Sequence, residues 1–143
     1  MIFYVKLWLL FTPPNPKQTL TNIEWCNMLP RLTNIPQLSP LVSDYLDALQ
    51  LQHFEGDIAS SYADRLSLAT DNSVYQQLPQ AILFPKSIAD VVRLTKLAQQ
   101  EKYLSLTFTP RGGGTGTNGQ SINNNIIVDL SRHMTKILEL NVK

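Results

Sequence analysis

The sequence predicts an α+β (α/β-like) fold, and three observations predict it. An apolar run at residues 81–84 is closed by a proline, a helical pattern starts directly after it, and two further apolar stretches flank a glycine-rich loop. At 143 residues the chain has the size of one domain with one core, too small for a catalytic core plus a separate substrate domain. Its hydrophobic fraction of 43% and charged fraction of 16% fit a folded globular chain and exclude the disordered and fibrous classes. A formal net charge of +1, with Lys and Arg scattered along the chain, provides no electrostatic footprint for nucleic acid.

The N-terminal apolar run from Ile2 to Phe11 is interrupted by Lys6 and stopped by Pro13-Pro14. It is shorter than the roughly 20 residues of a membrane span. It has neither a basic segment ahead of it nor a small-residue cleavage site behind it, so the expectation is no transmembrane segment, no signal peptide and a cytoplasmic location. Cys26 is the only cysteine, which excludes a disulfide framework and a thiolate metal cluster within this chain. Prolines at 13, 14, 16, 30 and 36 without an apolar period mark residues 1–38 as an irregular, poorly ordered leader.

Ser39-Pro40 reads as an N-cap followed by proline at the first helical position, with Val42, Tyr45, Leu46 and Leu49 on one face of a helix reaching about His53. Residues 60–75 read as a short helix and a loop, with a turn at Thr70-Asp71-Asn72-Ser73. Ala81-Ile82-Leu83-Phe84 reads as a buried strand. Ser87 and Asp90 form a capping-box-like start to a second long helix, with Ile88, Val91, Val92, Leu94 and Ala98 at helical spacing and Arg93, Lys96 and Gln99 outward. Leu104, Leu106 and Phe108 alternate with Ser105, Thr107 and Thr109 as the next strand, giving a strand–helix–strand unit with a right-handed parallel crossover. Ile126-Ile127-Val128 is the third strand, and the alternation of Leu138, Leu140 and Val142 suggests a fourth.

Five of the six glycines lie between Gly112 and Gly119. Bare backbone there permits positive φ and lets an anion reach successive N–H groups, so the loop reads as a phosphate cradle. Thr115, Thr117 and Asn118 offer side-chain donors. A flexible linker is the bland alternative, yet linkers seldom join two apolar strands behind an Arg. Gly114-Thr-Gly-Thr-Asn-Gly119 is a literal G-x-G-x-x-G, but a nicotinamide fingerprint must open a helix, and here a β-branched run follows. The nucleotide-triphosphate loop also nearly matches, except that Gln120 stands where its lysine is required. A glycine loop between two strands fits both flanks.

That third pattern carries a resemblance. Pro110-Arg111-Gly112-Gly113-Gly114-Thr115-Gly116, followed by Ile126-Ile127-Val128-Asp129-Leu130-Ser131, resembles the pyrophosphate loop and next strand of the FAD-linked flavoproteins of the vanillyl-alcohol-oxidase type. Leu83-Phe84-Pro85-Lys86-Ser87 looks like that family's first strand and helix. Ser61-Tyr62-Ala63-Asp64-Arg65-Leu66 and Thr70-Asp71-Asn72-Ser73-Val74-Tyr75 are similar to segments of the large bacterial FAD- and iron-sulfur-containing D-2-hydroxyacid dehydrogenases, the D-2-hydroxyglutarate and D-lactate types.

The resemblance runs from about Leu29 to the last residue and implies that residues 39–143 form the N-terminal half of a PCMH-type FAD-binding domain, truncated at its C-terminus; Met1 to Met28 has no counterpart in it, and an upstream extension or a misplaced start is the expectation for the leader. It implies FAD as cofactor, held at its pyrophosphate by Arg111, Gly112, Gly113, Gly114, Thr115 and Gly116, with Thr117, Asn118 and Gly119 as lesser candidates. The flavin would take a hydride from the α-carbon of a hydroxyacid. Catalytic residues, the substrate domain and any iron-sulfur cluster would lie in the parent family's remaining part, which would also be this chain's partner if expressed separately. No metal site is expected here. Alone, the chain is expected to be an inactive fragment; a small non-redox nucleotide-binding module and an inert remnant of a split gene are the alternatives. Asp64, Arg65, Asp71 and Tyr75 read as solvated ion pairs rather than a catalytic constellation. His133 reads as a surface loop histidine, and His53 as a basic group at a helix C-terminus.

Overall fold

A computed structural model describes residues 35–142. Cys26, the N-terminal apolar run and most of the leader lie outside the described residues, and residues 35–38 form neither helix nor strand. The first helix, α1, spans Pro40–Leu51, with the Ser39 hydroxyl accepting the N–H of Val42 at 3.3 Å. Such a cap contributes about 1 kcal/mol. The helix closes two residues before His53, which adopts a left-handed φ of 58° and donates its N–H to the Gln50 carbonyl at 3.0 Å.

The short strand β1, Asp57–Ala59, was not expected. After it, Ser61 caps helix α2, Tyr62–Ser67, by accepting the Asp64 N–H at 3.2 Å. Strand β2 is Ala81–Phe84, buried throughout, and helix α3 is Ile88–Ala98, capped by Ser87. A single 3-10 turn, Glu101–Tyr103, precedes strand β3 at Phe108–Arg111, and Ile126–Asp129 is strand β4. The sheet order is β1-β2-β4-β3, with β1 antiparallel to β2 and both β2 and β3 parallel to β4. In register, Ala81 and Phe108 flank Ile126 on its two sides, while Arg111 faces Asp129. The expected strand–helix–strand unit is therefore present, with β4 inserted between its two strands.

Alternation along the strands assigns the two faces of the sheet. Ala81, Leu83, Ile126 and Val128 pack with Val42, Tyr45, Leu46 and Leu49 of α1 and Leu94 and Leu97 of α3. Ile82, Phe84 and Ile127 face the other way, against Ala59 and Leu68. Tyr45, fully buried, donates its hydroxyl to the Leu94 carbonyl at 2.9 Å and so ties the two helices together.

Three expectations are corrected. The buried face of α3 is Asp90, Leu94 and Leu97, whereas Ile88 and Val92 are exposed. Asp90 goes inward because its carboxylate accepts N–H groups from Glu55 at 3.1 Å and Lys86 at 3.0 Å, and Arg93 at 2.9 Å. Burial pushes its pKa up, but these bonds outweigh it and leave the net shift downward. Residues 104–107 are not strand, because Tyr103 is pinned by its hydroxyl to Asp44 at 2.6 Å and by its N–H to the Gln100 carbonyl at 2.8 Å; Leu104 is exposed. The suggested fourth strand at 138–142 has no ladder partner among the described residues, and Leu138, Leu140 and Val142 stand in solvent.

Candidate functional site: the glycine loop

Strand β3 ends at Arg111, and the chain then leaves the sheet until β4. The loop needs glycine for distinct reasons at distinct positions. Gly114 and Gly119 have φ of 66° and 74°, the left-handed region. A Cβ on Gly114 would also overlap the Arg111 guanidinium, whose Cζ would be 2.9 Å away, and one on Gly119 would press the Tyr75 ring at 3.0 Å. At Gly116 a Cβ would meet the Gln120 carboxamide carbon at 2.6 Å. Gly112 differs: nothing lies within 4 Å of where its Cβ would be.

The backbone N–H groups of residues 112–117 donate to no acceptor among the described residues. Six consecutive donors without protein partners are what an anion cradle offers. The side chains of Thr115, Thr117 and Asn118 likewise make no hydrogen bond there, whereas the Asn118 N–H is taken by Gln120 Oε1 at 3.0 Å. Gln120, in the place of the triphosphate-loop lysine, thus folds back on its own loop.

Sequence reasoning missed a second loop that meets the first. The Asn72 N–H donates to the Gly114 carbonyl at 3.0 Å, the Ser121 hydroxyl to Asp71 Oδ2 at 2.9 Å, and Arg111 Nη2 to the Thr70 carbonyl at 2.9 Å. Arg111 Nη1 reaches the Ser121 carbonyl at 3.3 Å. Hydrogen bonds from Ser73 first, then Ser121, hold the Asp71 carboxyl below its usual pKa. Between the two loops lies an open cleft of about 450 Å³ bordered by Ser67, Thr70, Asp71, Asn72, Arg111, Gly114 and Thr115. The only sequence signal for the second loop was the turn chemistry of residues 70–73.

Asp64, Arg65, Asp71 and Tyr75 are not brought together. Asp64 accepts the Ser61 hydroxyl at 2.6 Å at the start of α2, and Tyr75 lies half-exposed over Gly119. Arg65 is a correction: it is not a solvated ion pair but 3% exposed, donating to the carbonyls of Pro79 at 2.7 Å and Pro36 at 2.6 Å. Its burial lowers its pKa. His133 lies partly exposed in the turn after β4, and its Nε2 lies 2.7 Å from Asp57 Oδ2. Lys86 binds the same carboxylate at 2.9 Å, and Arg132 stacks on the Phe84 ring at 3.7 Å. Lys86 first, then His133, brings the Asp57 pKa down to about 2.

Residues 79–143, which hold β2 through β4 and the whole glycine loop, match the family model for an FAD binding domain. This segment is similar to FAD binding domains. The expectation of an FAD-linked flavoprotein is thereby borne out, and the four-stranded mixed sheet bears out the α+β class. Curated relatives match over most of the chain. A D-2-hydroxyglutarate dehydrogenase of Haemophilus influenzae is 79% identical over 116 residues, covering 81% of this chain and 11% of the relative. One of Escherichia coli is 57% identical over 114 residues, covering 80% and 11%. The chain thus spans about 11% of the length of the curated relatives it matches. Among solved structures, alkyldihydroxyacetonephosphate synthase superposes with a TM-score of 0.54 at 20% identity over 76% of this chain and 22% of that one, a likeness of fold. Among the described residues no helix is long and apolar enough to cross a membrane, and no group of three His, Cys, Asp or Glu side chains is arranged to hold a metal ion.

Proposed function

We propose that the glycine loop between Arg111 and Gly119 binds FAD through its pyrophosphate, as part of a cytoplasmic flavin-dependent oxidoreductase acting on D-2-hydroxyacids, D-2-hydroxyglutarate foremost. The observation that carries the reading is the run of N–H groups at residues 112–117 without a partner among the described residues, inside the segment that matches an FAD binding domain. The residues fit the group. Gly112 faces open space where a side chain would stand, so a phosphate can approach the backbone there, and no fixed carboxylate belongs to the loop itself. The identity of 79% to a D-2-hydroxyglutarate dehydrogenase supports the substrate class.

When bound, the flavin supplies the hydride acceptor for oxidation of the hydroxyl-bearing carbon. This chain's residues would contribute binding and orientation: the amides of 112–117 would donate hydrogen bonds to the pyrophosphate oxygens, and β3 and β4 fix the two ends of their loop. Groups that touch the substrate belong to the remaining portion of the enzyme, which is the proposed partner. Purified chain titrated with FAD tests the reading by visible absorption. The flavin band should shift and sharpen on binding, and a spectrum identical to free FAD at all protein concentrations would sink it. Binding of adenine nucleotides without any response to FAD would instead favour a non-redox nucleotide module.

A further inference from the structure

We propose that Arg111 is a positioning residue for the cradle and not a ligand of the phosphates, and that the turn at residues 70–73 is the anchor it works against. The proposal rests on the FAD reading for its ligand, but its core concerns the loop before any ligand arrives. A cation at the head of a glycine loop invites assignment as a phosphate ligand. Its surroundings assign it otherwise. The residue is only 8% exposed, and its guanidinium bridges two backbone carbonyls, Thr70 at 2.9 Å and Ser121 at 3.3 Å, from loops 41 and 10 residues away in sequence.

The planar fork of arginine suits this task, since it spans two acceptors at once, which a lysine ammonium on a flexible stem does not reproduce. The bridge closes a ring. Arg111 joins Thr70 to Ser121, the Ser121 hydroxyl joins Asp71, and the Asn72 N–H joins Gly114. The start, middle and end of the glycine loop are each tied to one three-residue stretch, while the N–H groups of 112–117 have no acceptor among the described residues. Gly114 belongs to the same device, because the guanidinium occupies the space its Cβ would need. Donors fixed in this way need no reorganisation when an anion binds, and that saving appears as affinity.

The test uses the full 143-residue chain, labelled with nitrogen-15. In the wild type without FAD, the Arg111 Nη signals should be slowed in rotation and protected from exchange. On adding FAD they should stay in place while the amides of residues 112–117 shift. Arg111→Gln and Arg111→Lys should each raise the FAD dissociation constant about tenfold, as expected for loss of hydrogen bonds to a charged group, and should speed amide exchange across residues 112–121 in the unliganded chain. Restoration of wild-type affinity by Arg111→Lys, or Nη signals that move with FAD more than the loop amides do, overturns the proposal in favour of direct charge pairing. If either variant fails to fold, the wild-type Nη measurement decides alone. If FAD moves no loop amide, the functional reading fails, yet free and unprotected Nη groups would still be needed to overturn the bridge itself.

Discussion

The sheet with its two long helices and the glycine loop are held by different physics. In the scaffold, apolar side chains on both faces of β2 and β4 are fully or nearly buried, and backbone groups pair along the ladders. The loop buries little apolar surface, leaves six N–H groups without an acceptor among the described residues and is kept in shape by a few polar ties. Stability therefore resides in the first region and readiness for a ligand in the second. Mutations should separate the two.

The largest expected effect is in the scaffold: Leu83→Ala removes a fully buried side chain from the main core and should cost about 2–5 kcal/mol, read by chemical denaturation. Gly114→Ala comes next. It forces a left-handed φ on a residue with a Cβ, for about 1–2 kcal/mol, and it expels the Arg111 guanidinium; FAD affinity should fall with stability, and an unchanged melting curve would contradict the geometry. A smaller effect is the acid dependence of Asp57. Its pKa is depressed to about 2 from an ordinary value of 3.8, so the folded state gains from this carboxylate above the unfolded value. The gain is lost as the pH falls through about 2. Denaturation of the wild type and Asp57→Asn should differ at pH 5 and converge near pH 2. Smallest in stability is Gly112→Ala, whose Cβ meets nothing within 4 Å. It should alter stability by no more than about 0.5 kcal/mol while weakening FAD markedly. A variant that retained full affinity would break the contrast between the regions.

Much of the scaffold was legible because its signals are local. Ser39-Pro40 and Ser87 cap the two long helices as their sequence implies, and the apolar runs at 81–84 and 126–128 are strands. What escaped depends on distant partners. The three residues of β1 have no pattern of their own and become strand by pairing with the edge of β2. Asp90 breaks the helical apolar stripe because two backbone N–H groups, one from 35 residues upstream, converge on it. In the site, the glycine spacing was readable. The opposing loop was not, since Asp71 and Ser121 meet across 50 residues, and turn residues carry no sign of what they face.

The place of β4 also has a kinetic consequence. It follows every other described strand in the chain, yet it lies inside the sheet, between β2 and β3. Residues 57–111 can emerge from the ribosome and form their helices, but β2 and β3 have no ladder joining them until 126–129 arrives. The glycine stretch is then the tether across which the parallel pairing of β3 with β4 must zip, and closing such non-local contacts is slow. Birth of the cradle and the joining of β2 to β3 are one event, so no shorter nascent chain should capture the nucleotide.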